Sequence, residues 1–381
     1  MDYRKLPRGN EEISTLGLGG EYLEGVQTRD VVDIVSHAIE NGINILDVFM
    51  PGPEVRSNIG IALEGRRDKM YIQGHFSTIY KAGQYMRTRK LDEVKTAYHD
   101  LLTRLKTDYI DFGLVHYVDT EDDFQQIISN GILDYMRDMK RQGVIRHMGF
   151  SSHNPVIAQK FIEFCGDMDI LMFSINPAYD LDPVNDDLMA VMSFEGFKRE
   201  YAGAVPLRSG LYPLCEKHRI GITGMKVLAA GRLLNAKDSP FGEAMTVQQC
   251  MHYCLTRPGV LSCMMGVHTL GELKECMKYF TVSDEEKDYT AIAKSPIYTM
   301  AGKCVYCNHC LPCPTNIDIA AVNKFYDIAV MGEAIPDTVR DHYKSLGASA
   351  EDCIQCGACE GNCPFGVDIR GRMLKAAELF R

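Results

Sequence analysis

Apolar residues alternate along most of this chain between two spacings. Short runs rich in branched apolar residues, such as Ile43 to Phe49 and Ile170 to Ile175, predict buried strands, and Ile145 to Ser151 is expected to be another strand. Longer stretches place apolar side chains three and four apart, as at Leu91, Val94, Tyr98, Leu101, Leu102 and Leu105, and predict amphipathic helices. A short hairpin over residues 3 to 15 leads into Leu16-Gly17-Leu18-Gly19-Gly20. A helix then follows Thr28 and stops at Asn41-Gly42 in the manner of a left-handed cap. Further strands are expected at Met70 to Phe76, Tyr109 to His116, Gly221 to Val227 and Leu261 to Val267. Further helices are expected at Leu91 to Leu105, Phe124 to Arg141, Pro155 to Cys165, Gly210 to His218, Thr246 to Thr256 and Leu270 to Phe280. Eight strands alternating with seven helices predict an α/β fold, a (β/α)8 TIM barrel over residues 1–282, with its active site at the C-terminal ends of the strands. Three segments break the rhythm: a Pro/Gly loop at 50–57, a long insertion at 178–208 expected to form a lid over the barrel mouth, and a linker at 283–302.

The remaining residues, 303–381, carry eight of the fourteen cysteines in two tight runs. Cys304, Cys307, Cys310 and Cys313 precede Pro314, and Cys353, Cys356, Cys359 and Cys363 precede Pro364. The second run has the spacing in which three thiolates wrap one [4Fe–4S] cube and the fourth reaches the neighbouring one; the first is a residue shorter before its last cysteine. Zinc sites present separated cysteine pairs and have no use for complete quartets closed by proline. The pattern therefore assigns Cys304, Cys307, Cys310 and Cys363 to one cube, and Cys353, Cys356, Cys359 and Cys313 to the other. Helical spacing at Ile317 to Met331 and at Ile369 to Phe380 predicts helices, and with the cysteine runs this part resembles the small helical two-cluster ferredoxin domains, which implies that it conducts single electrons.

Composition narrows the partners. A hydrophobic content of 46% without an eighteen-residue apolar run offers no membrane span. A net charge of -10 without a basic patch excludes nucleic acid and suits a basic redox protein. The N-terminus has no apolar signal-peptide stretch, so a reducing cytoplasm is expected.

The barrel resembles the aldo-keto reductases, in their bacterial branch with a C-terminal ferredoxin domain. The matching pieces are Tyr3-Arg4-Lys5-Leu6, Leu16 to Gly20, Gly42-Ile43-Asn44-Ile45-Leu46-Asp47, Tyr109-Ile110-Asp111, Gly149-Phe150-Ser151-Ser152-His153 and Gly224-Met225-Lys226-Val227-Leu228. The resemblance implies carbonyl reduction with NADPH by an Asp, Tyr, Lys and His tetrad. Asp47 and His116 fall on the aspartate and histidine; the tyrosine position is Gly52 and the lysine position His75. Of the residues implied for the nicotinamide cofactor, Ser151, Ser152, Asn176 and Gly266 remain. Met172 replaces the glutamine, Ile175 the aromatic, His268 the basic residue and Cys276 the asparagine.

Asp47, His75 and His116, with His153 beside them, thus stand at four successive strand ends. Three readings stay open: proton management for a carbonyl, a two-His-one-carboxylate metal site, and hydrogen-bonded core. Tyr22, Tyr117 and Tyr179 are candidate replacements for the proton donor. Glu21 is expected in a solvated loop, and Cys250 and Cys254 in the core. The leading expectation is an iron–sulfur oxidoreductase that couples two [4Fe–4S] clusters to the reduction or oxidation of a small carbonyl or alcohol, served by an external carrier of ferredoxin or flavodoxin type. An NAD(P)H-dependent reductase with accessory clusters and a non-catalytic electron-transfer subunit are the alternatives.

Overall fold

The computed structural model describes residues 1–181, 206–290, 292, 302, 304–330 and 334–381. Twelve strands occur among them: β1 (Tyr3–Lys5), β2 (Glu12–Ser14), β3 (Leu16–Gly19), β4 (Ile45–Val48), β5 (Tyr71–Phe76), β6 (Thr78–Lys81), β7 (Gln84–Arg87), β8 (Ile110–Val115), β9 (Ile145–Ser152), β10 (Ile170–Ser174), β11 (Gly221–Met225) and β12 (Val260–Gly266). Eight of them close a barrel in the order β10-β11-β12-β3-β4-β5-β8-β9, every pair parallel. Strands β4, β8 and β10 are buried at every position, as a sheet covered by helices outside and filled inside requires. Inside, Ile45, Phe112, Leu114, Ile170, Met172, Leu261 and Met264 pack together, and Leu6 and Ile13 from the β1–β2 hairpin plug the end where the strands begin. At Gly149 an added Cβ would lie 2.3 Å from the Ile170 carbonyl, so only glycine lets β9 and β10 approach there.

Several expectations need correction. The segment at 50–57 is not all loop: a helix, Pro53–Ala62, starts inside it, because proline suits the first helical turn where its missing N–H has no partner to lose. The single helix expected from Phe124 to Arg141 is two, Glu121–Ser129 and Ile132–Arg141, broken at Asn130-Gly131 where Gly131 takes φ 72°. The helix expected from Gly210 begins at Pro206, and a short helix, Pro177–Leu181, opens the preceding insertion. The expected lid falls on residues 182–205, outside the described residues. The stretch expected as a linker contains a helix, Asp284–Lys287, capped by Ser283. Unforeseen altogether is the β6–β7 hairpin that follows β5.

In the C-terminal part, helices Ile319–Val330 and Ile369–Phe380 pack together and are tied by Arg372, whose Nε donates to Asn323 Oδ1 at 2.6 Å. Helices Asp337–Lys344 and Ala358–Asn362, not expected from the sequence, complete it. This part sits on the barrel flank at β11 and β12. Arg257, in the turn entering β12, donates to the Val305 carbonyl at 2.7 Å, and the Tyr289 hydroxyl donates to the same oxygen. His309 lies 3.0 Å from Asp288 and His342 lies 3.5 Å from Glu216.

Where the strands begin, His147 bridges Glu11 at 3.0 Å and Asp169 at 3.4 Å. Burial alone would raise the Asp169 carboxyl, but hydrogen bonds from His147, Lys140 and the Met148 N–H outweigh it and bring it below its usual range. Burial likewise opposes the His147 imidazolium, and the two carboxylates outweigh it and raise its pKa. The depressed acid contributes stability above its unfolded pKa; the raised histidine contributes below its unfolded pKa and loses that contribution as pH rises through the folded value. The stability difference between wild type and His147→Gln in urea is therefore expected to be larger at about pH 5.5 than at about pH 8.5. Equal differences at the two pH values would show that the imidazolium is not what the carboxylates hold.

Candidate active site

Asp47 is the third residue of β4, His75 the fifth of β5, and His116 directly follows β8. Neighbouring barrel strands bring them together at the mouth, where Asp47 is 1%, His75 2% and His116 7% exposed. His75 Nε2 lies 2.8 Å from Asp47 Oδ1, and His75 Nδ1 lies 3.0 Å from His116 Nδ1. His116 Nε2 in turn lies 2.8 Å from the hydroxyl of Tyr85. The four groups form one hydrogen-bonded series. Burial first, then the charges of His75 and Arg89, hold His116 well below an ordinary imidazole, so it is neutral at neutral pH. Burial also pushes Tyr85 up to about 12, so its phenol keeps its proton.

The surroundings fix this series in place. Phe49 stacks on the His116 ring at 5.1 Å, and Arg89 donates to the His116 and Tyr117 carbonyls while paired with Asp123 at 2.8 Å. Gln73 donates to Asp47 Oδ1 at 3.1 Å and accepts from Thr223 across the barrel at 3.0 Å. Neither Gln73 nor Tyr85 was singled out by sequence. The signal for Tyr85 was local: alternating residues flank Ala82-Gly83, both at positive φ (53° and 79°), which is hairpin-turn chemistry.

His153 does not join the series. It pairs with Asp119 at 2.8 Å and reaches His116 only through the ring of Tyr117, at 5.1 Å from His153 and 5.9 Å from His116. The metal reading fails on geometry. His75 uses both ring nitrogens in a line between Asp47 and His116, and among the described residues no three His, Cys, Asp or Glu side chains could hold a single metal ion.

The residues implied for a nicotinamide are committed elsewhere. Ser151 Oγ accepts from the Tyr117 N–H at 2.9 Å, Ser152 Oγ donates to the Val118 carbonyl at 2.7 Å, and Asn176 bonds the Lys226 carbonyl and the Tyr179 N–H at 2.8 and 2.9 Å. Tyr22 lies over Gly266, where a Cβ would meet its ring at 2.1 Å, and packs edge-on against His268. Met172 offers only a thioether, 3.9 Å from Gln73 Nε2. Met172 and these contacts depart from the nicotinamide set that the resemblance implies. At Gly52 a Cβ would clash only with the movable carboxylate end of Glu24, with Oε1 at 2.5 Å. Glu21 is exposed, as expected of a loop carboxylate, and desolvation by its surroundings raises its pKa. Tyr179 is buried against the hydrophobic core, as are Cys250 and Cys254.

In the C-terminal part the two cysteine runs interleave. Cys304, Cys307, Cys310 and Cys363 line one small cavity together with Val305, Phe365 and Val367. Cys313, Cys353, Cys356 and Cys359 line another with Ile317, Ile354 and Met373. Each cavity thus takes three cysteines from one run and one from the other. Four sulfurs around an apolar hollow fit a cubane cluster.

A closed parallel barrel with an acid–base series at its mouth, joined to a part built around two cysteine quartets, defines an oxidoreductase with an iron–sulfur domain. Residues 15–181 match the aldo/keto reductase family and residues 303–368 the 4Fe-4S dicluster domain. The chain carries an aldo/keto reductase domain followed by a 4Fe–4S dicluster ferredoxin domain, and is an oxidoreductase of aldo-keto reductase type. An uncharacterized oxidoreductase of Bacillus subtilis, YqkF, is 25% identical over 284 residues, 72% of this chain and 90% of its own. The protein tas of Escherichia coli is 26% identical over 198 residues, 45% of this chain and 57% of its own. Among solved structures, the holo form of aldo-keto reductase AKR11C1 from Bacillus halodurans superposes with a TM-score of 0.58 at 22% identity, covering 79% of this chain and 99% of its own. The glycerol dehydrogenase AKR11B4 from Gluconobacter oxydans gives 0.57 at 16% identity, covering 80% and 98%. At these identities the superpositions establish the barrel fold. Among the described residues no helix is long and apolar enough to cross a membrane.

Proposed function

We propose that the barrel mouth interconverts a small carbonyl compound and its alcohol, with Asp47, His75 and His116 managing the proton and the ferredoxin domain handling the electrons. The observation that carries this reading is the buried, continuous hydrogen bonding from Asp47 through His75 to His116. Isolated buried polar groups are costly, and a linear series at barrel strand ends is suited to moving a proton. When loaded, two [4Fe–4S] clusters held by the interleaved cysteine quartets would supply single electrons from an external carrier of ferredoxin or flavodoxin type. Asp47 holds His75 Nε2 in its protonated form, His75 orients His116, and Phe49 shields the pair from water. Residues 1–282 and 303–381 are the two working units of this reading.

Anaerobic turnover of 4-nitrobenzaldehyde by the cluster-loaded protein, with reduced methyl viologen as electron source, tests it. Asp47→Asn is expected to lower kcat by about 100-fold or more, and NADPH or NADH alone is expected to leave the clusters oxidised. Reduction of the clusters by either nucleotide would replace this reading with a nicotinamide-dependent one. A second reading draws on the contacts of the cysteine-bearing part with the β11–β12 flank, four strands around the barrel from β5 and β8. In it the clusters serve a partner and the barrel is their support. Electron transfer from viologen to cytochrome c unaltered by Asp47→Asn, with no aldehyde turnover in wild type, would favour that alternative.

A further inference from the structure

The relay at the mouth has an outer end that no matching motif of the chain contains. Tyr85 comes from β7, in the hairpin appended to β5, and its hydroxyl closes the series at 2.8 Å from His116 Nε2. The hairpin is held at its base by the Thr88 N–H bonding to the Ser77 carbonyl, and the Tyr85 ring packs edge-on against Phe49 and His116.

Donor and acceptor counting decides how protons sit on this series. An ionised Asp47 can only accept, so His75 carries its proton on Nε2 and leaves Nδ1 bare. His116 must then donate from Nδ1, which leaves its Nε2 bare to accept the Tyr85 hydroxyl. Every contact has one donor and one acceptor. With one more proton every contact is satisfied again, with His75 protonated on Nδ1, His116 on Nε2, the Tyr85 oxygen accepting from His116 with its own proton turned outward, and the proton between His75 Nε2 and Asp47 carried by either of them. The two differ by one proton and, with Asp47 protonated, by a concerted shift along three hydrogen bonds.

Resting on the carbonyl–alcohol reading, we propose that Tyr85 is the group that exchanges the proton with substrate, and that Asp47 is the buried terminus which stores it. In the oxidising direction the substrate O–H breaks and its proton passes to the Tyr85 oxygen. The Tyr85 proton moves to His116 Nε2, the His116 Nδ1 proton to His75 Nδ1, and the His75 Nε2 proton to Asp47. The substrate becomes an alkoxide, Asp47 becomes neutral, and no electron moves in this step. Carbonyl reduction runs the shift backward from the loaded state. His116 becomes a cation in neither direction, which matches its burial among Arg87, Arg89 and His153, where an imidazolium is disfavoured. Tyr85 itself faces Arg87, Arg89, Tyr117 and Glu21, and its phenol stays protonated at rest. Gly52 leaves the family's tyrosine position without an acid, so a proton donor has to enter from another element.

The test uses the cluster-loaded full chain, labelled with 15N-histidine, as wild type, Tyr85→Phe and Tyr80→Phe. Tyr80 lies in the same hairpin, paired across it with Tyr85, and is solvent-exposed. Wild type should show His116 as a neutral imidazole protonated on Nδ1 between about pH 6 and 9. Tyr85→Phe should shift the His116 Nε2 resonance alone, and should lower kcat for viologen-driven 4-nitrobenzaldehyde reduction by about 100-fold or more with KM changed less than about threefold. Tyr80→Phe should change neither. An unmoved His116 resonance in Tyr85→Phe, or a kcat within about twofold of wild type, would overturn the assignment of Tyr85. Absence of turnover in wild type would instead sink the carbonyl reading, and the resonance shift would still decide whether Tyr85 terminates the relay.

Discussion

Replacing Cys363 with alanine is expected to remove about half of the bound iron and sulfide, and to remove it from the cluster beside the barrel rather than from the one that Cys363 adjoins in sequence. Cys363 closes the second cysteine run, yet it lines the cavity with Cys304, Cys307 and Cys310. The survivor should be the cube held by Cys313, Cys353, Cys356 and Cys359. Adding Cys304→Ala to Cys363→Ala should therefore cost no further iron, whereas adding Cys353→Ala should remove the rest. Iron and acid-labile sulfide per chain, with the EPR spectrum of the reduced protein, read the outcome. If Cys363→Ala and Cys353→Ala together retain half the iron, each run holds its own cluster and the interleaving is wrong.

Arg257→Met should loosen the ferredoxin domain from the barrel and lower the melting free energy by about 3 kcal/mol, the order expected for losing buried hydrogen bonds from a charged donor. The Arg257 guanidinium is 8% exposed. It donates to the Val305 carbonyl at 2.7 Å, to the Thr256 and Tyr289 hydroxyls at 3.1 and 3.3 Å and to the Tyr253 carbonyl at 3.2 Å, and lies over the rings of Tyr253 and Tyr306. Among the described residues none of these partners is a carboxylate. A buried cation without an acid is costly unless an anion stands nearby. Asp180, which accepts from the Tyr253 hydroxyl at 3.0 Å, is one such anion, and because Val305 lies between Cys304 and Cys307 a thiolate-held cube would add another. Cluster loading should accordingly raise the melting temperature more in wild type than in Arg257→Met, and proteolysis between residues 290 and 304 should speed up in the variant. Equal stabilisation by the clusters in both proteins would show that the arginine only packs.

The barrel was legible along the chain because its signals are local. Runs such as Ile110 to Val115 alternate with stripes such as Val94, Tyr98 and Leu101, and each needs only its neighbours to declare strand or helix. What escaped was local too, but decided by single residues: Pro53 starting a helix within a presumed loop, Gly131 splitting one helix into two, and Ala82-Gly83 turning an unexpected hairpin. Spacing suggested how the cysteine quartets pair, and the two cavities each bring together three cysteines of one run and one of the other.

Of the mouth, the sequence by itself determined that Asp47, His75 and His116 end successive barrel strands, and that Gly52 and Met172 depart from the family's pattern. Only the tertiary structure decided that His75 spans Asp47 and His116 with both ring nitrogens, that His153 turns instead to Asp119, and that Tyr85 completes the series. The strand register β4–β5–β8 and the fold-back of a hairpin determine those contacts. They join groups dozens of residues apart, which side-chain spacing along the chain does not encode.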